Sequence, residues 1–487
     1  PRAGCVGDMI AKLKARWQKF DSRERGAVLI LTAAMLIVLM GAAAMGTDLG
    51  WLYLNGRRTQ QAADAAALAG VVYLPNDEPT AISTAMDMAR ANEYVDGSMG
   101  GDSTVIAHKL VDNDRRLQVT VTRAVDTYFL KVFGIDNVAL SRSAVAEYVL
   151  PLPLGSPEPQ FGNDPECAPN VATGVGCTNI WANIHGKYTN RVMGDAFSPW
   201  CKGSNGTSCA HNEWHRDRGY LFGVELDAAT ASLGVDLLDP AFVQGGNDYL
   251  WAGDNPINGN VGPSVEFTLW SEDPTPLDLS DGNVILCQVV YAPEPVGTPF
   301  TWRDFCDIAG ADAGVYPLQV RVADENFGLN RYSIRTSAAG AANSRVYGLG
   351  DMSIYANVQN GGSDFYLAEV EQVHKGKQLI IELFDPGEAN GNNFIHIRDP
   401  FGNSPECHVE VPNDSIDEVL SNCIIDATRP ARNYNGDWIY VSIDLPGSYT
   451  CNGANCWWKV FYDYANEAND TTTWTARIEG NPVRLVE

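Results

Sequence analysis

The sequence predicts a multidomain protein of α+β and all-β class. One long N-terminal helix, transmembrane in composition, carries a small α+β module and is followed by two domains of β-sandwich or jelly-roll type. Three observations carry that expectation. An uncharged apolar run of twenty residues covers 27–46. Beyond about residue 166, short strand patterns alternate with Gly, Asn, Asp and Pro clusters. Ten of the eleven cysteines fall in that later region.

The apolar run comes first. At about 1.5 Å per residue it spans roughly the 30 Å hydrocarbon core of a bilayer. The leader, 1–26, holds seven basic side chains (Arg2, Lys12, Lys14, Arg16, Lys19, Arg23 and Arg25) against Asp8, Asp21 and Glu24, whereas the whole chain has a net charge of -26. By the positive-inside rule the leader stays cytoplasmic and everything after the span is exported, giving a single-pass protein with its C-terminal domains outside. A removable secretory signal is the rival, with Ala42-Ala43-Ala44 as its cleavage site. The run is longer than a signal core, and helix-forming sequence continues past it.

That continuation is the most specific stretch of the chain. Asp48-Leu49-Gly50 follows the span, Leu52-Tyr53-Leu54 comes next, and Gln60-Gln61-Ala62-Ala63-Asp64-Ala65-Ala66-Ala67-Leu68-Ala69-Gly70 closes it, with Gly70 as the expected stop. Small residues at 41–44 and 62–67 suit close approach of a second helix, although alanine also simply propagates helix well. Together with Arg25-Gly26-Ala27-Val28 at membrane entry, these residues resemble the N-terminal module of the Tad (Flp) pilus-assembly proteins of the TadG-like type. The resemblance implies a surface protein of Tad/Flp pilus type, a structural or adhesive subunit anchored or assembled through its helix. It further implies as partners the Tad secretion and assembly machinery, and membrane or like subunits through helix 27–70. Leu31 stands where type IV pilins cleaved at a glycine carry Glu, which argues against such processing at Gly26.

The module extends over 71–150. Ile82, Met86, Met88, Ala89 and Ala91 are spaced for a helix over 81–94, after Pro79-Thr80 at its start. Strands are expected at 104–110, 117–122 and 138–149, with a short helix at 127–133 between the last two. The family commonly shows this strand, Phe-rich turn and returning strand.

A Pro-rich linker over 151–165 leads to a first β domain at 166–337. Its strands are expected at 180–184, 218–226, 264–271, 284–291, 315–322 and 331–336. A small-residue hinge, 337–343, precedes a second β domain at 344–487, with strands near 352–356, 365–370, 378–384, 394–398, 438–443, 457–464 and 473–479. The two read as a diverged tandem repeat. Tyr220-Leu221-Phe222-Gly223-Val224-Glu225 parallels Phe365-Tyr366-Leu367-Ala368-Glu369-Val370, and Val265-Glu266-Phe267-Thr268-Leu269-Trp270 parallels Leu379-Ile380-Ile381-Glu382-Leu383-Phe384.

An even set of exported cysteines predicts disulfides. Sequential pairing is the simplest choice: Cys167 with Cys177, Cys201 with Cys209, Cys287 with Cys306, Cys407 with Cys423, and Cys451 with Cys456. No Cys-x-x-Cys occurs, which disfavours zinc. Catalytic signatures are thin, and no enzyme is expected. His211-Asn212-Glu213-Trp214-His215 is not the His-Glu-x-x-His of zinc peptidases, and no Gly-x-Ser-x-Gly elbow or phosphate loop is present.

Calcium is the one metal considered, at Asp385, Glu388 and Asn390 (with Asn392 nearby), or at Asp278, Asp281 and Asn283. Such residues also make turns without any ion. Trp181, Trp200, Trp214, Trp251, Trp457 and Trp458 are the aromatic faces to inspect for a glycan or other surface receptor. The acidic balance argues against nucleic acid. A membrane-anchored carbohydrate-binding or hydrolytic ectodomain is the alternative function.

Overall fold

The computed structural model describes residues 4–74, 77–111, 115–149, 151–164, 180–202, 208–209, 211–244, 253–256, 262–280, 283–324, 326–358, 362–387, 391–428, 434–466, 468–479 and 483–486, with side chains of the first helix from Leu29 onward. They form two compact units, one comprising 1–149 with 483–487 and the other 150–482.

Unit 1 is a helix laid on a small sheet. Helix α1, Gly4–Gly70, runs unbroken from the leader through the apolar run into the Gln60–Gly70 block. Ala62, Ala63, Ala66 and Ala67 recur at helical spacing and are buried with Ala81, Ala85 and Ala89 of α2, Glu78–Ala91, and with Leu117, Val119 and Val121 of the sheet. The small residues of this block therefore serve packing inside the unit. Only 41–44 remain largely exposed for an outside neighbour. The helix stops at Gly70, as expected. The Gly70 backbone is helical (φ -74°, ψ -38°), and a short 3-10 turn, Val71–Tyr73, follows. Glycine is required because α2 approaches so closely: a Cβ there would lie 2.5 Å from the Ala81 carbonyl oxygen. Helix α2 starts where Asp77 accepts from the Thr80 amide at 2.9 Å, with Pro79 in the first turn.

The sheet of unit 1 holds β1, Ser103–Lys109, β2, Arg116–Asp126, and β3, Asn137–Tyr148, in antiparallel succession. Its fourth strand comes from the far end of the chain: Val483–Val486 pairs with β3, setting Leu485 opposite Ala146. The segment 483–487 thus belongs to unit 1 and not to a second β domain, so unit 2 is inserted into unit 1 in chain order. A four-residue strand has no period of its own to reveal its partner.

Unit 2 begins in the presumed linker. Pro153–Leu154 (β4) and Gln160–Phe161 (β5) are short strands, followed by β6, Ile180–His185, and the hairpin of β7, Cys201–Lys202, with β8, Ser208–Cys209. Next come β9, Tyr220–Leu226, β10, Thr230–Leu238, β11, Val265–Trp270, and β12, Ile285–Tyr291. The first half closes with β13, Trp302–Ala311, β14, Gly314–Val322, β15, Leu329–Ala338, and β16, Ser344–Leu349. The second half holds β17, Asp351–Val358, β18, Ser363–Glu369, β19, Gln378–Phe384, and β20, Asn393–Arg398. It continues with β21, Cys407–Val411, β22, Ile416–Leu420, and β23, Ile424–Asp426. It ends with β24, Trp438–Asp444, β25, Trp457–Tyr464, and β26, Ala468–Ile478; β27 is the strand Val483–Val486 of unit 1.

These strands make two long antiparallel sheets that each run through both halves. One has the order β13-β10-β15-β6-β17-β26-β19-β24-β21-β22, with β5 beside β15, and the other β12-β11-β14-β9-β16-β4-β18-β25-β20-β23. No boundary falls at 337–344. The halves are β-sandwiches fused edge to edge, joined by β6 with β17 in one sheet and by β4 between β16 and β18 in the other. A single apolar core fills the space between the sheets, with edge-on ring contacts such as Phe267 with Tyr332 at 5.2 Å and Phe222 with Tyr332 at 6.3 Å.

Strand positions reveal the repeat. Taken in chain order, β9, β10, β11, β12, β13, β14 and β15 occupy the sheet positions of β18, β19, β20, β23, β24, β25 and β26, and β21 with β22 is an added hairpin. Tyr220–Leu226 therefore corresponds to Ser363–Glu369, as the sequence parallel expected. The second parallel is displaced, since Val265–Trp270 and Gln378–Phe384 lie in different sheets. Short apolar runs of similar composition cannot be told apart by pattern alone.

Disulfides close the sandwich. Cys287 on β12 joins Cys306 on β13, fastening the outermost strands of the two sheets at one end. Near the other end Cys407 on β21 joins Cys423, just before β23. Cys451–Cys456 staples the loop between β24 and β25. The backbones of Cys201 and Cys209 face each other across β7 and β8; their side chains, and the Cys167–Cys177 pair, lie outside the described residues.

Candidate functional site

The site of unit 1 grows out of α1. From Leu29 to Met45 its large apolar side chains are exposed, among them Leu36, Val38 and Leu39. Past Gly46, Asp48 turns inward and is fully buried. Its carboxylate accepts the backbone N–H groups of Tyr128 (2.9 Å), Phe129 (2.9 Å) and Leu130 (2.6 Å). These are donors at the start of the 3-10 turn Leu130–Phe133, which have no partner within the turn. The expected short helix at 127–133 is this turn, and Asp48 is its remote cap. Gln60 donates to the Ser143 carbonyl at 3.1 Å and to Asp64 at 2.8 Å, fixing helix against sheet further along. Sequence reasoning marked Asp48 as part of a signature and gave it no task. A partner 80 residues distant leaves no local signal.

Unit 2 holds a polar pocket of about 330 Å³ lined by His185, Asp195, Phe197, His215, Arg216, Tyr220 and Arg321. Asp195 is buried and accepts from the Tyr220 hydroxyl at 2.5 Å and the Phe197 amide at 3.0 Å; burial pushes its carboxyl above the ordinary range, against those bonds. His185 is fully buried, and neither ring nitrogen has a hydrogen-bond partner among the described residues. Burial, aided by the charge of Arg331, pushes its pKa down to about 3, so the ring is neutral. Two cations of the pocket are paired with carboxylates: Arg216 pairs with Asp351 and lies 4.0 Å from the Phe197 ring centre, and Arg321 meets Glu266 at 2.6 Å.

The remaining sequence candidates are dispersed. His215 faces the Phe197 carbonyl at 2.8 Å and Asp217 at 3.2 Å, so both its nitrogens are occupied. Asn212 is buried and donates to the carbonyls of Ala196 and Ser198. Asp385 is buried, with a positive φ of 57°, and accepts from the Gly436 amide at 2.5 Å; Glu388 and Asn390 lie outside the described residues. Asp278 accepts from Ser280, Asn283 donates to Asp273 at 2.7 Å, and Asp281 is outside the described residues. Among the described residues no group of three His, Cys, Asp or Glu is placed to hold a metal. Trp181, Trp457 and Trp458 are core, Trp200 and Trp214 are half-buried, and Trp251 lies outside the described residues.

A rod that is apolar and bare along one half, and packed on a small sheet along the other, defines a β-rich protein with a candidate N-terminal membrane anchor. Comparison with known proteins agrees. Residues 26–74 match the family described as "Putative Flp pilus-assembly TadE/G-like", and this segment is a Tad pilus-assembly module. No curated protein matches the chain. Among solved structures, the N-terminal CBM22-1-CBM22-2 tandem domain from Paenibacillus barcinonensis Xyn10C is similar at 8% identity, covering 77% of this chain and 89% of that one with a TM-score of 0.13.

Proposed function

We propose that this protein is a structural or adhesive surface subunit of Tad/Flp pilus type. Its helix holds it in the membrane or packs it among like subunits, and the fused β-sandwich is the exported, exposed part. One observation carries the reading: the apolar half of α1 is bare from Leu29 to Met45 and leads directly into the Tad module. Bare apolar surface on this scale must be covered by lipid or by another helix. The basic leader supports an N-in orientation. In this reading the Tad assembly machinery handles the subunit, no chemistry is catalysed and no cofactor is required, although calcium near Asp385 would be a stabilising addition.

The test places two charges in the span. A Leu36→Arg/Leu39→Arg variant carries a penalty of about 2.5–3.5 kcal/mol per arginine near a membrane centre. The variant is expected to be lost from the membrane and from the cell surface. Undiminished surface display would overturn the reading. The alternative, an anchored carbohydrate-binding ectodomain, has the pocket at His185 in its favour. It predicts that a neutral glycan is captured by the full chain and released by His185→Ala.

A further inference from the structure

We infer that the β2–β3 hairpin tip of unit 1 is a second membrane contact, seated in the lipid interface beside the span; this rests on the anchor reading above. The hairpin runs along α1 toward the span. Leu117 lies by Gly70, Arg142 by Gly56, the Ser143 carbonyl by Gln60, and the amides of 128–130 on Asp48. Asp48 is two residues past the end of the apolar run, about 3 Å along the axis. The interfacial layer outside the hydrocarbon is about 5–8 Å deep on each side. The tip is therefore held at the depth where that layer lies.

Its composition fits the place. Val132 is 84% exposed, Phe133 74% and Tyr128 59%, with Phe129 and Ile135 also bare. On the helix side Leu49, Tyr53 and Leu54 are exposed as well, and Trp51 meets Tyr128 edge-on at 5.8 Å. This apolar and aromatic surface is continuous with the lipid-facing stretch of α1. Aromatic residues flanking a span, with exposed Lys131 available for headgroup phosphates, are the side chains that favour the interface. Hydrogen bonds at the base keep the tip in shape, the Thr127 amide donating to the Asp136 carbonyl at 3.0 Å and its hydroxyl to that of Ile135 at 2.5 Å.

The experiment uses the full chain in phosphatidylcholine vesicles, with an environment-sensitive fluorescent amino acid encoded at position 36, 132, 133 or 419, one at a time. Vesicles carry nitroxide lipids labelled either near the headgroup or deep in the tail. Probes at 132 and 133 are expected to lose fluorescence to the shallow label, the probe at 36 to the deep label, and the probe at 419 on unit 2 to neither. Asp48→Asn should abolish quenching at 132 and 133 and preserve it at 36. If 132 and 133 behave like 419 while 36 is quenched, the interfacial tip is refuted and the anchor stands. A probe at 36 that is also unquenched overturns both. An emission shift at 132 and 133 that follows protein density without quenching assigns the surface to a neighbouring subunit and refutes the lipid contact.

Discussion

Substituting Gly70→Ala separates helix propensity from packing, because the two predict opposite signs. In an open helix the change gains about 0.8–1 kcal/mol, since glycine has more backbone freedom to lose. At Gly70 the backbone is already helical, so an alanine meets no dihedral strain. The added methyl would lie 2.5 Å from the Ala81 carbonyl oxygen, 2.5 Å from the Leu117 Cδ2 and 3.0 Å from the Ala85 Cβ. Leu117 can rotate away. The Ala81 carbonyl belongs to the first turns of α2 and moves only if the helix does. Overpacking of this kind costs about 1–3 kcal/mol, which exceeds the propensity gain. A net loss of about 1 kcal/mol in unit 1 is expected, or roughly fivefold faster exchange of protected amides in α2 and β2. Native-state hydrogen exchange of the full chain in micelles reads this directly. Gly50→Ala is the control, since nothing lies within 4 Å of its added methyl, and it should slow exchange or leave it unchanged. Slower exchange in Gly70→Ala would refute the close approach of α1 and α2.

Other expectations concern the cap, the staples and the pocket. Asp48→Asn leaves the amides of 128–130 without their carboxylate, and those amides should exchange faster while α2 stays protected. Cys287→Ser/Cys306→Ser opens a loop of sequence separation 19 at one end of the sandwich and should cost about 3 kcal/mol in urea denaturation of unit 2. Arg345 lies between Glu225 (2.8 Å) and Glu369 (2.7 Å), tying the two halves; Arg345→Met should destabilise unit 2 by about 2 kcal/mol, whereas a neutral result in denaturation would deny the tie. His185 gives a pH dependence. With its folded pKa near 3, against about 6.5 when unfolded, the unfolded chain binds more protons between those values. Stability should therefore fall as pH drops through that window, by up to about 1.4 kcal/mol per unit. Asp195, whose pKa is raised, acts in the opposite sense just above the ordinary carboxylate pKa, so the measurement compares the wild type with His185→Gln.

Much of unit 1 was legible because its signals are local. Helical spacing places Ala62, Ala63, Ala66 and Ala67 on one face, and alternation along β2 buries Leu117, Val119 and Val121. The tasks of Asp48 and Gly70 were not legible, since each depends on a partner brought in by tertiary packing. In unit 2, strand positions emerged from period and turn residues, whereas the fusion of two expected sandwiches did not. In one of the two sheets that fusion rests on Pro153–Leu154, a two-residue strand in a stretch whose proline content reads as linker. The pocket shows the same limit. His185, Asp195, His215 and Tyr220 come from separate loops and strand ends, and although His215 and Tyr220 stood in segments the sequence singled out, no local pattern brings them together.

The central claim is that α1 crosses the membrane with its leader inside and the rest of the chain outside. Labelling with a membrane-impermeant maleimide in intact cells tests it most directly, using native Cys5 in the leader and a Tyr53→Cys substitution on the exposed helix face just past the span. The account predicts labelling of position 53 from outside and protection of Cys5 until the membrane is opened. Labelling of Cys5 in intact cells, or protection of both positions, would contradict it.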